Sequence, residues 1–156
     1  MTADTTRFVL LANVASTLML VGLIWFVQMV HYPQFARVGA DCFTQYQSEH
    51  VRLTTRVVAL PMLVEAVTSV VLVWKPPSQD LELVCWGGLS MVIVIWVSTT
   101  LLQVPRHSAL ATGFDSKAHR GLVLSNWIRT IAWSMRGVLV LILLNQMVAR
   151  GPGNGQ

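Results

Sequence analysis

Charge is scarce in this chain. Of its 156 residues only 12% are charged, seven acidic and eleven basic, about half the share of an ordinary soluble domain. Hydrophobic residues make up 54%, and the mean hydropathy is +0.59. A soluble fold of this length has too little interior to hide that much apolar surface. Disorder, a nucleic-acid module and a typical cytosolic enzyme are thereby excluded, and an integral membrane protein remains. No run of Lys or Arg is present to grip phosphates, so the net charge of +4 reads as positive-inside bias and no nucleic-acid partner is expected. Cysteine is scarce too. Cys42 and Cys85 fall on opposite sides of the membrane in the layout below, and a disulfide needs Cα atoms within about 7 Å, so both read as free thiols. A P-loop, a dinucleotide fingerprint, a Ser-His-Asp arrangement, a Cys-x-x-Cys-His haem attachment and a Glu-x-x-His di-iron pattern are all missing.

Long apolar runs are what the chain has instead. Residues 8–30, 57–74, 83–104 and 117–148 are each apolar enough to span, where a helix needs about 20 such residues. Hydrocarbon leaves the backbone no water to bond, which selects helices, since the alternation of a barrel is absent. The fold class expected is all-α: one integral-membrane four-helix bundle over residues 1–150, with both termini on one side. The Gly-rich tail 151–156 reads as disordered. In the first loop, Phe43, Tyr46, His50 and Leu53 recur at helical spacing, which predicts an interfacial helical segment or an extension of the second helix. Pro76-Pro77 stops that helix. Gly113 breaks the third loop, and Asp115 or Ser116 is placed to cap the last helix.

Six basic residues flank loops one and three and three lie on the other side, which puts those loops in the cytoplasm. All four histidines, His31, His50, His107 and His119, fall on that same side. Other polar residues join them. Gln28 and His31 share a face of the first helix, and Gln103 and His107 a face of the third. His119, Asn126, Arg129, Trp133 and Arg136 form one stripe on the fourth. Such groups face a bundle interior, because exposure to lipid is costly. Glu65 lies about 13 Å from Arg56 along its helix, and Arg136 about 10 Å from Arg129, at 1.5 Å per residue. The similar depths predict an ion pair between Glu65 and Arg136, structural or proton-handling.

The histidines raise a metal reading. His31, His50, Glu65 and His107, with His119 or Asn126 nearby, are the donor types for non-haem iron, zinc or manganese. Haem between His50 and His107 is a second option. A metal-free polar pocket, or a purely structural role, is the third. The cofactor stays open at this point.

Two segments carry a family likeness: Val104-Pro105-Arg106-His107-Ser108-Ala109-Leu110 and Asn126-Trp127-Ile128-Arg129. A proline-led polar turn ending in Leu, followed by a helix with Asn or Trp beside Arg, resembles the anthrone-oxygenase-like group of small four-helix membrane proteins. His31-Tyr32-Pro33-x-Phe35 and Pro61-Met62-Leu63-x-Glu65 are similar to segments of bacterial membrane proteins. The family pattern has Asn where this chain has His107. The resemblance implies oxidation of a hydrophobic aromatic or quinol-like molecule without a conventional cofactor, with His107, Asn126 and Arg129 carried over. A bacterial inner membrane is the expected location. On the residues alone, His107 and His50 are candidate bases or ligands. Arg129 is the candidate stabiliser of an oxyanion. The competing expectation is a non-catalytic subunit, with a second copy or a larger membrane complex as partner. A proton-coupled carrier resting on Glu65 and Arg136 is a third reading.

Overall fold

Every backbone N–H and C=O within a bilayer must find its partner inside the protein, and one long helix does this without help from neighbours. The computed structural model of the protein describes residues 2–149, and within them four such helices follow one another: α1 (Ala3–Arg37), α2 (Ala40–Trp74), α3 (Gln79–Leu110) and α4 (Ser116–Ala149). All four are long and apolar enough to cross a membrane, and no strand occurs among the described residues. The chain is a multi-pass membrane protein of the all-α, four-helix type. The stretches read from sequence as 8–30, 57–74, 83–104 and 117–148 lie inside longer rods. The tail 151–156 lies outside the described residues.

The largest extension is in α2. It starts at Ala40, and only Val38 and Gly39 separate it from α1. The expected interfacial segment is thus helical but is the first half of α2 itself, with Phe43 and His50 buried. Pro61 sits inside α2, where its missing N–H leaves one turn without a bond. Gly113 takes φ +146° in the turn before α4, a conformation that favours glycine. Asp115 Oδ1 then accepts the Lys117 and Ala118 backbone N–H groups at 2.7 and 2.9 Å, capping α4. Those two N–H groups, Ala118 first, hold the Asp115 carboxyl below the usual carboxylate range.

Two helices change pitch at the same end of the bundle. α1 widens into a π-turn at Val27–His31 and α3 into another at Thr99–Gln103, each closed by a bond to the carbonyl five residues back. The residue after each π-turn precedes a proline, Pro33 and Pro105. In an unbroken α-helix a proline ring meets the carbonyl four residues earlier. The wider turn relieves that conflict and lets the helix continue.

The helices pack in a ring, α1 against α2 and α4, and α3 against α2 and α4. Two apolar clusters fill the interior. One holds Leu20, Ile24, Phe35, Phe43, Ile95, Leu122 and Trp133; the other holds Leu10, Val14, Leu72, Leu81, Val140 and Leu143. Polar residues lie between them, and the outer surface is apolar, with Leu60, Leu83 and Leu124 all exposed. That surface calls for a lipid environment. Cys42 is exposed, Cys85 is buried, and both are free thiols.

Candidate functional site

All four helices contribute to two separate polar layers, α3 giving the deeper one only a backbone carbonyl. The deeper layer is built on Glu65 and Arg136, which are 0% and 1% exposed. Arg136 Nε donates to Glu65 Oε1 at 2.7 Å. Its Nη1 donates to the Gly88 carbonyl at 2.7 Å, and its Nη2 to Ser69 Oγ and Asn13 Oδ1 at 2.6 and 3.2 Å. The second Glu65 oxygen accepts Trp133 Nε1–H at 3.1 Å, while Thr17 Oγ1 donates to the first at 2.8 Å. Every strong donor and acceptor of the pair is engaged, which is the condition under which buried charges are tolerated. Gly88 leaves room for the guanidinium: a Cβ at that position would stand 3.0 Å from Arg136 Nη1.

The second layer holds the histidines. His31 Nε2 lies 2.7 Å from His50 Nδ1, and Thr54 Oγ1 lies 3.2 Å from the same nitrogen. The His50 and His107 rings stand 5.2 Å apart. His107 is held from both sides. Gln47 Nε2 is 3.2 Å from the His107 carbonyl and 2.9 Å from its Nδ1. A carbonyl only accepts, so the atom facing it is the amide nitrogen, and Nδ1 accepts the second amide proton. The ring proton then sits on Nε2, which donates to Tyr32 Oη at 3.0 Å. Arg129 Nη2 donates to the same hydroxyl at 3.2 Å. Asn126 fixes that arginine: its Oδ1 accepts both Arg129 Nε and Nη2, and its amide donates to Gln28 at 2.8 Å.

A cavity of about 660 Å³ opens beside this layer, within the range of small-molecule sites. Tyr32, Gln47, His50, His107 and Arg129 line its polar end; Leu20, Ile24, Met62 and Trp133 line its apolar end. Exposed Thr44, Ser48, Val51 and Thr55 of α2 and Val104, Ser108 and Ala111 of α3 line it as well. The cavity therefore opens sideways between α2 and α3. Trp133 belongs to both layers, walling the cavity while its N–H bonds Glu65.

The structure sorts the residues singled out from sequence. His50, His107 and Arg129 border the cavity. His31 stands behind His50, and Asn126 behind Arg129, so these two position rather than touch. His119 is turned elsewhere: its Nε2 is 2.8 Å from the Tyr32 carbonyl, and its ring stacks on Phe35. Glu65 is in the other layer, so the set His31, His50, Glu65 and His107 does not converge. No group of three His, Cys, Asp or Glu side chains placed to hold a metal occurs among the described residues. For haem, both His107 nitrogens are already committed, to Gln47 and Tyr32. Tyr32 and Gln47 were not among the sequence candidates. Gln47 precedes His50 by one helical turn, and Tyr32 follows His31 directly, so helical spacing was the available signal for Gln47.

Compared with known proteins, the chain matches no family model, no curated protein and no solved structure.

Proposed function

We propose that the protein takes a hydrophobic, amphipathic molecule from the bilayer and binds it in the α2–α3 cavity, its polar end among Tyr32, His50, His107 and Arg129. The observation that carries this reading is the shape and chemistry of that cavity. Its long apolar wall ends in a few convergent polar groups, and its mouth opens between α2 and α3. A hydrophobic aromatic or quinol-like molecule suits it: a flat apolar body against Leu20, Ile24 and Trp133, and an oxygen on the polar groups.

Oxidation of that molecule is the finer part of the proposal. It is supported by the likeness of residues 104–110 and 126–129 to the anthrone-oxygenase-like group. A hydroquinone would give up two electrons and two protons to dioxygen, yielding quinone and hydrogen peroxide. His50, whose Nε2 is uncommitted among the described residues, is placed to take a proton, His107 to hold the Tyr32 hydroxyl in place, and Arg129 to steady the developing oxyanion. A bacterial inner membrane, with the α1–α2 and α3–α4 turns cytoplasmic, is the location proposed from the distribution of basic residues.

The test uses full-length protein in detergent and an alkyl hydroquinone. Tight binding that is lost when Leu20→Trp fills the cavity is expected, together with oxygen uptake that falls at least tenfold in His50→Ala and His107→Ala. No binding by the wild-type protein would sink the cavity reading. Binding without oxygen uptake would leave a non-catalytic binding subunit.

A further inference from the structure

Arg129 is a buried cation that the protein itself does not neutralise. It is 9% exposed and borders the cavity. Its partners are all neutral: Asn126, Tyr32 and, at 3.5 Å, Thr99. The chain has seven acidic side chains, and all seven lie within the described residues. Glu65 is bonded to Arg136, Glu49 to Arg52, and Asp115 caps α4. Asp4, Asp41, Asp80 and Glu82 are exposed at the beginnings of α1, α2 and α3. No salt bridge to Arg129 occurs among the described residues. A charge taken out of water into a membrane bundle is costly unless an opposite charge meets it. The cavity lies open beside this guanidinium.

We infer that the ligand of the cavity carries a single negative charge, as a carboxylate or an equally acidic oxygen, and supplies the counter-ion of Arg129. This rests on the reading of the cavity as a binding site and not on the hydroquinone oxidation, whose neutral substrate it would replace with an acidic one. The apolar wall demands a hydrophobic body, so the ligand class is an anionic amphiphile. Asn126, bonded to both Nε and Nη2, leaves Nη1 as the guanidinium nitrogen with the weakest protein bond. The anion would sit against that nitrogen, with the Tyr32 hydroxyl beside it. Asn126 is a positioning residue in this arrangement.

The experiment compares two fluorescent probes of nearly equal shape, anthracene carboxylate and the corresponding anthracene methanol. Both are titrated into the full chain in a non-ionic detergent. The wild-type protein is expected to bind the acid at least about tenfold more tightly than the alcohol, the size of effect that a desolvated charge pair produces. Arg129→Gln is expected to bind the two equally, and Arg129→Lys to keep part of the preference. Equal affinity of the wild-type protein for both probes would overturn the anionic ligand while leaving the cavity as a binding site. A preference that survives in Arg129→Gln would also overturn it, by placing the charge recognition elsewhere. If neither probe binds, the binding site and its anion fall together. Should Arg129→Gln fail to fold, the wild-type comparison still decides.

Discussion

Arg129 and Arg136 lie two turns apart on one face of α4 and meet the cost of a buried charge in opposite ways. Arg136 is enclosed by Glu65, Asn13, Ser69 and the Gly88 carbonyl, so its surroundings are complete without any outside molecule. Arg129 faces neutral groups and an open cavity. The first arrangement holds four helices in register. The second leaves a cation beside an open cavity with no carboxylate bonded to it. The same residue type on the same helix face is enclosed by an ion pair in one layer and borders a cavity in the other. What separates them is whether the helix across the bundle offers a carboxylate.

This contrast can be broken by substitution. The largest effect is expected from Glu65→Gln, which leaves the Arg136 guanidinium buried without an anion. A loss of about 3–5 kcal/mol is expected, read as a lowered thermal midpoint in detergent. Arg129→Gln orphans no carboxylate and is expected to cost far less than Glu65→Gln in the same assay. Equal losses would mean that Arg129 is as structural as Arg136, and the distinction would disappear. Replacing Gly88 by Ala sharpens the picture of the closed layer. Its methyl group would press on Arg136 Nη1 at 3.0 Å, and a loss of about 1–3 kcal/mol is expected, with probe binding in the cavity little changed.

The smallest effect lies far from both layers. The Asp115 carboxyl is held below its ordinary range by the first N–H groups of α4. A depressed value in the folded state means stability that is present above the unfolded carboxylate's titration, near 3.9, and lost as pH falls through the lower folded value. The stability gap between wild type and Asp115→Ala should therefore be fully present at neutral pH and close as the solution is acidified below pH 4. A gap that stayed constant would show that the cap does not act through the charge.

Much of the layout was legible before any coordinates. Residues 8–30, with no charge at all, admit only a spanning helix. The similar depths of Glu65 and Arg136 followed from helical rise alone. The first half of α2 was harder. Its mixed composition, with Glu49, Arg52 and Arg56, reads as a loop, yet helical spacing of Phe43, Tyr46 and His50 was already present. What settled its state is burial of that face against α1 and α3, a tertiary effect. The histidines show the other limit. Spacing put all four at one end of the bundle, but could not tell that His119 turns to the Tyr32 carbonyl while His107 turns to the cavity.

The amino-acid sequence by itself determined that this is a four-helix membrane protein with its polar side chains gathered inside, because hydrophobic length and the cost of exposed backbone permit little else. Which arginine meets a carboxylate and which meets a cavity was decided only by the tertiary structure. That outcome depends on how α2 and α3 stand beside α4, and such spacing is set by the packing of side chains far apart in the chain.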